Sequence, residues 1–176
     1  VDGSEIKVGD YIIGIASNGV HSNGFSLIRK VFFDDLKLSA QDTVEGLKTS
    51  LGLELLRPTK IYVKTILNLL KSFSIKGMAH ITGGGLVENI PRVLPERCRA
   101  IINNGSWEIP DIFQVIKNVD YMEKLRVFNM GIGMVIIVSE EETEEIIERL
   151  TSLGEKAYVI GYIEKREETE YPIEFK

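Results

Sequence analysis

Two stretches of this sequence follow the same order of residue types, and that order restricts the fold more than any other feature. In the first, the apolar run Tyr11 to Ala16 leads into Ser17-Asn18-Gly19-Val20-His21-Ser22-Asn23-Gly24, after which Phe25, Leu27, Ile28, Val31 and Phe32 recur at helical spacing. In the second, Ile75 to Ile81 leads into Thr82-Gly83-Gly84-Gly85, and Leu86, Val87, Ile90, Val93 and Leu94 follow with the same period. Each reads as a buried strand, a glycine loop and a helix. The two units match too loosely to establish an internal duplication.

The loops carry the candidate chemistry. Glycine lets the backbone adopt positive φ and lets a ligand approach the amides, while the free N–H groups opening a helix favour an anion. Gly83, Gly84 and Gly85, with Thr82, are therefore candidates for holding a phosphate-bearing substrate, the alternative being a tight turn between packed elements. In the first loop Ser17, Asn18, Ser22 and Asn23 can donate to phosphate or sugar oxygens, Gly19 and Gly24 give backbone freedom, and His21 can carry a proton near neutral pH. An ordinary turn is the alternative there, because Asn-Gly is a strong turn former. His80 lies in the strand that enters the second loop, where a hydrogen-bonded core histidine is the competing reading. Two histidines and the single Cys98 cannot close a zinc site, and no metal ligands are assigned.

The remaining pattern completes an α+β (mixed α/β) domain with a mixed sheet covered by helices. Residues 34–50 read as a surface excursion. Pro58 or Thr59 starts a helix with Tyr62, Ile66, Leu69 and Phe73 on its buried face, and Arg57 and Lys60 at its start read as solvated cations, with anion contact as the alternative. Strands are expected at Cys98 to Ile102, Val135 to Val138 and Lys156 to Ile163, with an edge strand within Tyr171 to Phe175. Short helices carry Ile112, Phe113 and Ile116, then Tyr121 to Phe128; Trp107 is a packing anchor, and Gly131 and Gly133 reflect close backbone packing before a strand. Ser139 and Glu142 predict a capping box for an acidic helix that ends at Gly154.

Composition narrows the function classes. The 176 residues suit one domain, 44% hydrophobic and 27% charged residues fit a globular chain, and a net charge of -5 argues against a nucleic-acid footprint. The apolar runs are too short to span a bilayer, no signal peptide is visible and a cytoplasmic setting is expected. The chain opens at Val1, close to strand-like sequence, and reads as part of a longer protein.

Four motifs in order, Ser17 to Leu27, Arg57 to Val63, Ala79 to Gly85 with Glu88 to Pro95, and Phe128 to Met134, closely resemble the C-terminal half of the phosphoribosylformylglycinamidine cyclo-ligase (aminoimidazole ribonucleotide synthetase) family. The resemblance implies that residues 1–176 are the substrate-side domain of a purine-biosynthesis enzyme, a homodimer when intact, whose absent N-terminal domain holds most of the ATP and Mg site. It further implies ATP-dependent activation of a formamide oxygen followed by ring closure, with His21 as a polar or proton-transferring catalytic group and the two loops contacting the phosphorylated substrate. A related ATP-dependent enzyme of the selenophosphate synthetase or thiamine-phosphate kinase type, and a non-catalytic nucleotide- or anion-binding module, are the alternative readings.

Overall fold

The computed structural model describes residues 1–176. Its centre is a six-stranded mixed sheet of β1 (Tyr11–Ala16), β2 (Gly77–His80), β3 (Cys98–Ile102), β4 (Ile132–Val138), β5 (Ala157–Lys165) and β6 (Ile173–Phe175), in the spatial order β2-β4-β1-β5-β3-β6. All neighbouring pairs are antiparallel except β3 with β6, which are parallel. The α+β class with a helix-covered mixed sheet is therefore as expected.

Alternation along the strands divides the core between the two faces of the sheet. Ile12, Val135, Ile137 and Ile160 join the larger cluster, which Ile28, Phe32, Leu86, Phe113, Leu125 and Phe128 cover from α1 (Phe25–Ile28), α4 (Gly85–Asn89), α5 (Asp111–Val115), α6 (Tyr121–Val127) and the segments that continue α1 and α6. Ile13, Ile15, Met134, Ile136 and Val138 face the other way, against Ile66 and Leu69 of α3 (Val63–Leu69) and Ile146 and Leu150 of α7 (Glu140–Ser152). Covered on both faces, β4 buries every residue. Cys98 is buried and Trp107 is anchored by its indole N–H, which donates to Met130 O at 2.9 Å.

Several local expectations need correction. Residues after Ile28 widen into a π-helical segment, Arg29–Asp35, that buries the adjacent Val31 and Phe32 together. A short helix, α2 (Leu51–Leu55), follows the excursion. The helix expected from Pro58 or Thr59 begins only at Val63, because the backbone before it is tied sideways, with Lys60 N donating to the His21 ring. Ser139 and Glu142 do not form a capping box: their side chains bond each other at 3.2 Å, and Glu142 also accepts from Ser74 N at 3.1 Å, tying the start of α7 to the turn after α3.

Candidate functional site

The glycine segments meet at one end of the sheet. Since β1 and β2 both run antiparallel to the intervening β4, the loops leaving Ala16 and His80 flank the segment that enters β4. Gly133 is the bulged residue of this rim: Ile15 pairs with Met134 and Ala16 with Ile132, leaving Gly133 between them. A Cβ at Gly133 would lie 2.0 Å from Tyr62 Oη and 2.7 Å from His21 Cε1, so the connector glycine serves close packing as expected. Tyr62 donates to Ala16 O at 2.9 Å, and Lys60 Nζ reaches the same carbonyl at 3.3 Å while pairing with Glu155. Burial first, and the Glu155 charge second, raise the Tyr62 phenol above its ordinary range. Lys60 is thus tied into the site instead of standing as a solvated cation, and Arg57 pairs with the buried Glu54 at 2.8 Å.

Two buried asparagines hold the loops from inside. Asn129 Nδ2 donates to Gly19 O and Val20 O at 2.8 and 3.2 Å, while its Oδ1 accepts from Gly131 N and Ser17 Oγ at 2.8 and 2.9 Å. Asn89 Nδ2 donates to Thr82 O, Gly83 O and Gly85 O at 3.3, 3.2 and 2.8 Å, while its Oδ1 accepts from Thr82 Oγ1 and Arg92 Nη1 at 3.3 and 3.0 Å. Sequence reading singled out neither residue. A polar side chain four places into a glycine-led helix (Asn89), or before a glycine connector (Asn129), was the available signal.

The expected residues divide by what they leave free. Asn18 and Ser22 are exposed, Ser22 Oγ lying 2.9 Å from Thr59 Oγ1, and Asn23 is half-buried with its Oδ1 beside Gly83. His80 is exposed, its ring 6.0 Å from that of Tyr62. The amides of Gly83 and Gly84 donate to no group of the chain. Gly84 and Gly85 have positive φ, and a Cβ on Gly85 would meet Leu125 O at 2.0 Å; Gly83 has neither constraint, with only Asn23 Oδ1 near, at 3.9 Å. The tight-turn explanation thus accounts for Gly84 and Gly85 and leaves Gly83 unexplained. Ser17 and Thr82 turn their hydroxyls inward to the asparagines, and Gly24 packs against Phe128.

His21 lies at the centre, 4% exposed and with φ of 59°. Its Nε2 accepts from Asn18 N at 3.1 Å and Lys60 N at 3.4 Å, which places the proton on Nδ1, a buried atom without a partner. Burial first, then the electrostatic effect of the neighbouring His80 and Lys60, depresses the ring to about 4, so it is neutral at pH 7.

From His80 and Tyr62 an open groove of about 470 Å³ runs along α3, lined by Ile61, Val63, Leu67 and Met78 among others. No cluster of three or more histidine, cysteine or acidic side chains is placed to hold a metal ion, and no helix is long and apolar enough to cross a membrane.

Residues 7–173 match the family described as AIR synthase related protein, C-terminal domain. The chain is 60% identical to a phosphoribosylformylglycinamidine cyclo-ligase of Syntrophus aciditrophicus (strain SB), over 99% of this chain and 51% of that protein. It is 57% identical to the protein of that name from Syntrophotalea carbinolica, over 98% of this chain and 50% of that protein. The chain spans about half the length of these curated relatives. Among solved structures, thiamine-monophosphate kinase from Stenotrophomonas maltophilia K279a aligns with a TM-score of 0.68 at 16% identity, covering 99% of this chain and 52% of that one. Escherichia coli HypE, a hydrogenase maturation protein, aligns at 0.60 and 19%, covering 98% and 47%. These distant structures share the fold, and the match over nearly the whole sequence makes the chain a member of the AIR synthase related C-terminal domain family.

Proposed function

We propose that this chain is the C-terminal, substrate-side half of an ATP-dependent cyclo-ligase that converts formylglycinamidine ribonucleotide to aminoimidazole ribonucleotide in purine biosynthesis. The relatives' names support the reaction. The observation that carries the site is the pair of unbonded amides at Gly83 and Gly84, beside Asn23, on a rim where no side chain of the loop needs the space over Gly83.

In this reading the amides of Gly83 and Gly84 receive the substrate's phosphate, with Asn18, Ser22 and Asn23 donating to phosphate or ribose oxygens and His80 at the edge. Ser17, Gly19, Gly24, Thr82 and Gly85 shape those groups from behind. His21 keeps a narrower role than a general base. Its Nε2 already accepts two N–H groups and its Nδ1 is enclosed, so it couples the first loop to the Lys60 backbone. ATP supplies the phosphoryl group that turns the formamide oxygen into a leaving group. Glu54 and Glu155 at this rim are engaged by Arg57, Lys60 and Thr65, a poor fit for Mg, and the metal and most of the ATP site are assigned to the N-terminal half. Ile61, Val63 and Leu67, 79%, 60% and 56% exposed beside the site, support a second half of the protein closing over this end. The intact enzyme, in this reading, is a cytoplasmic homodimer.

Calorimetric titration of the 176-residue chain tests the assignment. Heat of binding from formylglycinamidine ribonucleotide, and none from ATP, is expected. Binding of ATP without the ribonucleotide would reverse the division of labour and overturn the reading.

A further inference from the structure

The glycine loop presents amides because its carbonyls have been drawn the other way. In a trans peptide the C=O of one residue and the N–H of the next point in opposite directions, and this chain has no cis peptide bond. Asn89 Nδ2 gathers Thr82 O and Gly83 O from below, at 3.3 and 3.2 Å. The N–H groups in those same two peptides belong to Gly83 and Gly84, the amides that find no partner in the chain. Thr82 O is also held by the Gly85 N–H at 3.0 Å, so the Gly83 donor is fixed by a turn bond and Asn89 together. Gly83 O has no other partner in the chain, and the outward direction of the Gly84 donor follows from this one buried side chain, itself 5% exposed.

The carboxamide cannot be turned around without loss. Its Oδ1 faces Arg92 Nη1 at 3.0 Å, and a guanidinium only donates, so oxygen must lie on that side and the NH₂ group on the loop side. The first loop repeats the device. Asn129 Oδ1 is fixed by Gly131 N–H, its Nδ2 gathers Gly19 O and Val20 O, and the N–H groups of the same two peptides, Val20 and His21, have no partner either.

We propose that Asn89 is a positioning residue for the substrate's phosphate: it acts through the loop backbone, holding the Gly83 and Gly84 amides toward the ligand without touching it. This rests on the reading of the Thr82–Gly85 loop as a phosphate-binding loop. An aspartate in place of Asn89 has the same shape but gathers no carbonyls, and its charge repels them. The Gly83–Gly84 peptide is then released, the Thr82–Gly83 peptide keeps only its turn bond from Gly85 N–H, and the donors are no longer held together toward the ligand.

The test pairs a change in the protein with a change in the ligand. Binding of formylglycinamidine ribonucleotide and of its dephosphorylated nucleoside is measured for the intact protein and for its Asn89→Asp and Arg92→Met variants, with KM for ATP and the unfolding midpoint recorded for each. Asn89→Asp is expected to weaken ribonucleotide binding by about tenfold or more, with nucleoside binding and KM for ATP within about twofold of the parent. Arg92 is largely exposed, its side chain at 59%, so Arg92→Met folds even if Asn89→Asp does not; loss of one hydrogen bond to the carboxamide should weaken ribonucleotide binding about threefold, again without affecting the nucleoside. If the parent protein binds nucleotide and nucleoside equally, the loop does not hold phosphate, and both the functional reading and this inference fall. If the parent distinguishes them and the variants retain the same ratio, the inference alone is overturned and Asn89 only stabilises the fold.

Discussion

The Tyr62 hydroxyl occupies the volume that any side chain at Gly133 would need, a Cβ there falling 2.0 Å from Tyr62 Oη. Gly133→Ala must therefore displace the phenol, break its bond to Ala16 O and press on the His21 ring. We expect a loss of roughly 2–4 kcal/mol in denaturant unfolding. Tyr62→Phe removes the clashing oxygen, so the double variant should be less destabilised than the sum of the single changes by about 1 kcal/mol or more. Simple additivity would show that the two positions do not share this space.

Gly83 and Gly85 should respond oppositely to alanine. Gly83→Ala meets no backbone and needs no positive φ, so the unfolding midpoint should stay within about 2 °C, while ribonucleotide binding weakens because the methyl group sits beside the free amides. Gly85→Ala combines φ of 56° with a contact of 2.0 Å to Leu125 O and should cost about 2 kcal/mol or more. Thermal unfolding alongside titration separates the two effects.

His21 makes stability depend on pH. Its ring is depressed from 6.5 to about 4 in the fold, so the unfolded chain binds the proton more readily, and this contribution is complete above about 6.5 and is lost as pH falls toward 4. Between pH 7 and 5 the loss attributable to this group is roughly 2 kcal/mol. His21→Gln should flatten the unfolding free energy over that interval by a similar amount. An unchanged slope in the variant would mean that other groups set the pH dependence.

Asp10 and Lys76 form an ion pair at the far end of the same strands, with side chains 1% and 11% exposed, and Asp10 also accepts from Lys7 N at 2.9 Å. Asp10→Ala strands the lysine charge and should cost about 3 kcal/mol, whereas adding Lys76→Met should recover much of it. Denaturant midpoints of the two single variants and the double variant check this.

Much of the fold could be read directly from the pattern. β1 and β3 coincide with the apolar runs Tyr11 to Ala16 and Cys98 to Ile102, because buried strands rich in β-branched residues bounded by polar turns leave few alternatives. The start of α3 was misplaced because Lys60 N is bonded laterally to His21, a contact from a distant loop that local spacing cannot contain. For the same reason the loops were legible but the groups behind them were not. Asn89 and Asn129 look like any surface asparagine until the fold buries them, and the bulge that makes room for Tyr62 belongs to the pairing of β4 with β1.

The strand order also sets a timetable for the nascent chain. None of β1, β2 and β3 pairs with another of the three; every ladder in the sheet includes β4, β5 or β6. A ribosome-bound chain that has not yet reached Ile132 therefore has three apolar strands and no sheet, and its first glycine loop waits for Asn129, 112 positions beyond Ser17. The rim that holds both loops therefore cannot be complete until β4, the strand that lies between β1 and β2, has been made.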